Sequence, residues 1–133
     1  MQGEIDVGMQ LRLALETTYF LRRLAPMVGL SADLRLNMQL DLEGVRGRAL
    51  IDANDDPGQW RYFNRWSENH SSATIETTVG EVDNSPIDVG LELVSELASQ
   101  IGSDYTDPVS LKKVLRNGRT SGAVLSFIDY TKL

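Results

Sequence analysis

The sequence has no cysteine and a single histidine, His70. The first absence excludes disulfides, thiol nucleophiles and cysteine-held zinc, and it suits a reducing compartment. His70 stands in "SENHSS" with no Gly-x-Ser-x-Gly elbow around any serine, so it reads as a loop histidine, with Glu68 the nearby acid that could orient it. Long hydrophobic runs are also missing. Nothing approaches the roughly 18 apolar residues of a membrane span. The opening "MQGEIDVGMQ" has acids where an export signal has Lys or Arg, and together these features give the expectation of a cytoplasmic protein without a membrane partner. Neither Gly-x-x-x-x-Gly-Lys nor Gly-x-Gly-x-x-Gly occurs, so no nucleotide cofactor is implied, nor any other.

The last scarcity is regional. Residues 67–107 hold nine acids and no Lys or Arg, within a chain of net charge −6. Residues 1–66 are nearly balanced, with eight Arg against nine acids, whereas residues 67–133 carry five bases against ten acids. A phosphate backbone is repelled by such a segment, which argues against nucleic acid, while a basic protein surface is attracted. The plain alternative is a solvated acidic face. Glu92 and Glu96, one helical turn apart, are the candidate contacts for a basic partner.

What remains is ordinary globular composition, 41% hydrophobic and 24% charged over 133 residues, which fits one domain spanning 1–133. Val7, Leu11, Ala14, Thr18, Leu21 and Ala25 recur at helical spacing, with Pro26 as a stop, although "MQLRLALE" also alternates and could begin as a strand. "LRLNMQLDL" alternates strictly and reads as a half-buried strand. After the turn "EGVRG", "VRGRALIDA" is expected to return as its hairpin partner, with "WRYFNRW" a third strand and "ATIETTV" a fourth. Two helices follow: one opens at Ser85-Pro86 with Asp88 completing a capping box and Ile87, Leu91, Val94, Ala98 and Ile101 facing the core, the other opens at Asp107-Pro108 and closes at Asn117-Gly118. "AVLSFIDY" reads as a last strand. The order α-β-β-β-β-α-α-β predicts an α+β fold with an antiparallel sheet of about five strands.

Three stretches invite chemistry. "DANDDPG" spaces Asp52, Asn54 and Asp56 like a calcium loop. Position 6 is however Pro57 and position 12 is Phe63, where that loop needs Gly and Glu, so a turn is expected and no metal. "RNGRTSG" at 116–122 could hold an anion but reads more simply as a helix cap and a turn. "QWRYFNRW" holds both tryptophans, and Trp, Tyr and Arg dominate binding hot spots. As a strand it would send Trp60, Tyr62, Asn64 and Trp66 one way and Arg61, Phe63 and Arg65 the other; the plain alternative is that Trp60, Tyr62 and Trp66 form the core face of the sheet, with the arginines pairing surface acids.

Two readings follow. The first is a small acidic, non-enzymatic protein-binding domain that covers a basic partner surface, with Trp60, Arg61, Tyr62, Arg65, Trp66, Glu92 and Glu96 as candidate contacts. The second is a small-ligand protein or small enzyme with a pocket lined by Trp60, Tyr62 and Trp66.

Overall fold

Asp6 opens the first helix: its side chain accepts from Gly8 N at 3.0 Å, and α1 runs Val7–Met27. The apolar stripe read from the sequence is the face that turns inward, with Val7, Leu11, Ala14 and Thr18 buried and Leu21 half-buried. Pro26 sits inside the last turn, and Gly29, at φ 72°, ends the helix in the left-handed conformation that glycine adopts without a steric cost. The two residues before α1 are extended. β1, Ile5–Asp6, pairs in parallel with β3, Leu50–Ile51, so the helix-or-strand ambiguity at the N-terminus resolves at Val7.

The chain is α+β in this computed structural model, which describes residues 3–120 and 125–133. The expected five-stranded sheet is absent among the described residues. Two two-stranded sheets stand in its place, β1 with β3, and β2 (Arg35–Glu43) antiparallel to β4 (His70–Thr78). The hairpin after β2 fails at "EGVRG". Gly44 and Gly47 both take left-handed φ, and Val45 between them is driven fully into the core. The chain leaves the β2 edge, and β3 finds β1 instead. The segment expected as a third strand coils because Asp56 caps it through Gly58 N and Pro57 presets φ, giving a 3₁₀ turn at Pro57–Tyr62. Only Arg65 keeps strand character, bridging Ala49.

β4 leads into α2 (Val79–Asn84), where Thr78 accepts from Glu81 N at 3.1 Å while Thr77 Oγ1 donates to Glu81. α3 (Pro86–Ser99) starts at its proline as expected, but Ser85 makes no side-chain cap bond; its carbonyl accepts from Val89 N instead. α4 (Pro108–Thr120) is capped by Asp107, which accepts from Val109 N at 3.0 Å, and it continues past Asn117-Gly118. The last strand expected at 123–130 begins outside the described residues. From Leu125 the chain turns and finishes in a 3₁₀ turn at Tyr130–Lys132. No described helix is long and apolar enough to cross a membrane.

α3 is central. Leu91, Val94, Leu97 and Ala98 are buried between α1 and the inner face of β4. The two helices meet at Gly90, where a Cβ would lie 2.7 Å from Leu15 Cδ2, and Leu15 is itself fully buried. Gly90→Ala should therefore force α1 and α3 apart and destabilise the chain by about 1–3 kcal/mol, against the small gain that alanine brings to a helix. Urea melts measure it; an unchanged or raised midpoint would show that Leu15 has room to move.

Candidate functional site

The segment from Asp52 to Asn64 is built by short polar side chains that turn their own backbone. Asp52 is buried, and its Oδ1 accepts from Asn54 N at 3.0 Å; Asp56 Oδ1 accepts from Gly58 N at 3.0 Å. Asp52 and Asp56, two of the three residues spaced like a calcium loop, thus each commit an oxygen to the turn, and the third, Asn54, donates its Nδ2 to Asp52 at 3.2 Å. Among the described residues no group of three His, Asp or Glu is placed to hold a metal.

Two clefts flank this segment. The larger, about 430 Å³, lies between it and the loop after α3, with Asp55, Asp56, Tyr62, Phe63, Asp104 and Tyr105 on its walls. The second, about 360 Å³ and more apolar, lies on the other side against the start of α1 and the α4 face, with Met9, Ala53, Val114 and Leu115. The walls of the larger cleft are fastened by Tyr105. Its hydroxyl accepts from Asp52 N at 3.2 Å and donates to Asp55 Oδ2, and Asn64 Nδ2 adds a bond to Gly102 O at 3.3 Å. Burial first, then the hydrogen bond to Asp55 and the Asp55 charge, raise the Tyr105 pKa well above the ordinary tyrosine value. Tyr105 is therefore a fixed hydrogen-bond donor at neutral pH. Three carboxylates and three aromatic rings without a cation among the lining residues suit a positively charged guest, such as an ammonium or guanidinium group.

The residues singled out in the sequence separate here. Trp66 is 5% exposed and packs in the hydrophobic core, its backbone bonded to Gly47 and Arg48. Trp60 is half-buried at the 3₁₀ turn, and neither tryptophan lines either of these two clefts, so the pocket of the second reading, built on Trp60, Tyr62 and Trp66, is replaced by one that keeps Tyr62 and gains Phe63 and Tyr105. The period-2 division of faces fails with the strand. Arg65 serves an internal clamp: it donates to Glu4 Oε1 at 2.8 Å and to Gly47 O at 2.9 Å, with Trp60 O at 3.4 Å, while Glu4 Oε2 accepts from Ala49 N. Arg61 and Tyr62 are exposed and paired with each other, the guanidinium donating to the Tyr62 hydroxyl at 2.8 Å and stacking 4.8 Å from its ring centroid. Glu92 and Glu96 lie on the outward face of α3.

His70 is exposed on the wet face of β4, its Nε2 3.6 Å from Asp41 and 3.7 Å from Glu43, so its acidic neighbours are these two across the ladder. Sequence reasoning missed Asp55, Asp104 and Tyr105. Asp55 and Tyr105 are 50 residues apart, and neither stands in a local pattern that marks it. The chain matches no protein-family model, no curated protein and no solved structure, so function rests on this geometry.

Because the folded chain holds Tyr105 protonated, its contribution is complete below about pH 10 and is lost as pH climbs from there toward the raised folded value. Tyr105→Phe should cost about 1–2 kcal/mol near neutrality through the lost bonds to Asp55 and Asp52 N. It should also flatten the fall in stability above pH 10. Denaturant melts from pH 7 to 11 test both; an alkaline limb as steep as the parent's would assign it to other groups, Tyr19 first, whose pKa burial also raises.

Proposed function

We propose that this chain is a protein-binding domain that works by covering a basic surface of its partner. The observation that carries the reading is the outward stripe of α3. Asp88, Glu92 and Glu96 follow one another at four-residue spacing, all exposed, and none pairs with a cation among the described residues. Like charges at this spacing repel by a few tenths of a kcal/mol per pair. A helix that buries its other face can carry that cost, and a basic surface would convert it into attraction and faster encounter.

Two further features support the reading. Asp104 and Asp107 continue the acidic character in the loop after α3, and no ion pair joins either to a described cation. The cleft between that loop and residues 52–64 has the lining to receive an Arg or Lys side chain, with Tyr62, 67% exposed, at its rim. The same lining supports the alternative of a small cationic ligand in the cleft. Tyr62 belongs to this rim in either case, with Arg61 stacked against its ring. Arg65 and Trp66 are assigned to the scaffold, and Trp60 beside them anchors the turn.

An arginine-rich peptide is a direct probe. Binding followed by fluorescence anisotropy should weaken as salt rises. Glu92→Lys/Glu96→Lys should reduce affinity at low salt about tenfold or more, since it reverses charge at the centre of the stripe. Asp33→Lys/Glu68→Lys changes net charge equally at exposed sites elsewhere and should cost less than about threefold. Equal losses in the two variants would reduce the stripe to bulk charge. Free arginine shifting the NMR signals of Tyr62 and Tyr105 without any effect of the α3 reversals would favour the small ligand.

A further inference from the structure

The β2–β4 ribbon has two edges, and they are not alike. Val79 N donates to Leu34 O at 3.0 Å, one step beyond the Arg35–Thr78 pair. In an antiparallel ladder, residues alternate between turning both backbone groups to the partner and turning both away. Leu36, Met38, Leu40 and Leu42 therefore face β4, while Arg35, Asn37, Gln39, Asp41 and Glu43 turn their N–H and C=O groups to the open edge of β2. On the β4 edge, Gln100 at the end of α3 closes part of the ladder, its amide donating to Ser72 O and accepting from Ser71 Oγ. No strand among the described residues pairs with the open edge of β2.

The uncovered edge lies beside uncovered apolar surface. The inward residues of β4, Ser71, Ala73, Ile75 and Thr77, are all buried, whereas on β2 only Met38 is, and Leu36, Leu40 and Leu42 are half-buried. Leu30 beside Leu36, and Leu34 before the strand, are exposed. β2 is nine residues long, has no Pro and no Lys, and carries no charge on its inward side, so it lacks most of the devices that blunt natural edges; its charges, Arg35, Asp41 and Glu43, all lie on the outer face.

We propose that this edge pairs with β2 of a second copy, antiparallel about a two-fold axis at Gln39. The strand is complementary to itself in that register. Arg35 falls opposite Glu43 of the second copy, Asn37 opposite its Asp41 and Gln39 opposite its Gln39, which are the positions whose backbone groups face outward. On the inner face Leu36 meets Leu42 and Met38 meets Leu40, in the closer-spaced type of pair. The nine-residue strand overlaps along its whole length, and the two ribbons become one four-stranded sheet. Shifting the register by two residues weakens the charge match: with the two-fold axis at Met38, Arg35 meets Asp41 but Glu43 meets Asp33 of the second copy, and with the axis at Leu40, Arg35 meets the uncharged Val45, so charge favours the pairing about Gln39. A two-fold contact of this kind is isologous and closes on itself, which ends growth at the dimer.

The test is a charge swap read by sedimentation velocity over a concentration series. The parent chain should show a reversible monomer–dimer equilibrium. Arg35→Glu and Glu43→Arg each place like charges opposite one another twice per dimer and should raise the dissociation constant roughly tenfold. The double variant R35E/E43R restores both pairs and should recover the dimer. Gln39→Pro removes an outward N–H at the axis and should give a monomer with native circular dichroism; if it does not fold, the swap decides alone. A parent that stays monomeric at all concentrations would overturn the proposal. So would a dimer indifferent to both single substitutions, or one that the double variant leaves broken.

Discussion

The contact at Gly90 sets the distance between α1 and α3, and most of the structure is arranged around that distance. Without a side chain there, α3 lies close against α1 at Leu15, and Leu11 and Leu15 share one hydrophobic cluster with Val94, Leu97 and Ala98, all five of them essentially sealed from solvent. The other side of α3 then covers the inner face of β4, and the helix end places Gln100 on the strand edge. The loop that follows delivers Tyr105 to Asp52 and Asp55. The sheets are too small to hold themselves together. A two-stranded ribbon is marginal alone, and one of the two here is only two residues long on each strand. What makes them persist is the helix pair beneath.

This arrangement explains how α3 can carry like charges along its exposed face. The repulsion between acids four apart is a few tenths of a kcal/mol, whereas each large apolar residue on the inner face contributes about 1.5–3 kcal/mol by leaving water. The helix is held by packing, so its outer face is free to be chosen for a purpose other than helix stability. The loop 52–64 shows the opposite economy. Few of its side chains are buried, and it is held by short polar bonds to its own backbone and by the Tyr105 hydroxyl. A loop fastened in that way presents its rings and carboxylates at the surface, where a partner side chain can reach them.

Much of this was legible in the amino-acid order, for reasons that particular residues make plain. α1, β2 and α3 announce themselves because their apolar residues keep one period over several turns or alternations, β4 through its run of β-branched residues, and α4 through its Asp107-Pro108 start. The pairing of β2 was not legible: β3 and β4 both offered a strand, and the outcome turned on two glycines taking left-handed φ and on Val45 being swallowed by the core. Residues 57–62 misled for a different reason. Their aromatics favour extended chain, but Asp56-Pro57-Gly58 starts a helical turn, and local capping outweighs a propensity that depends on neighbours the segment never meets. The cleft was invisible because it is made by residues distant in sequence, joined by a tyrosine with no pattern around it. Of the exposed acids on α3, Glu92 and Glu96 were visible as a pair, since charge and helical spacing are both one-dimensional, whereas Asp88 was read only as part of a cap.

If the α1–α3 contact governs the fold, native-state hydrogen exchange should show it. The slowest amides should belong to α3 from Leu91 to Ala98 and to α1 around Leu11 and Leu15, exchanging only through global unfolding, with β2 opening earlier from its free edge. Slowest exchange in the β2–β4 ladder, with α3 opening at lower free energy, would contradict the account and make the sheet the element on which the helices depend.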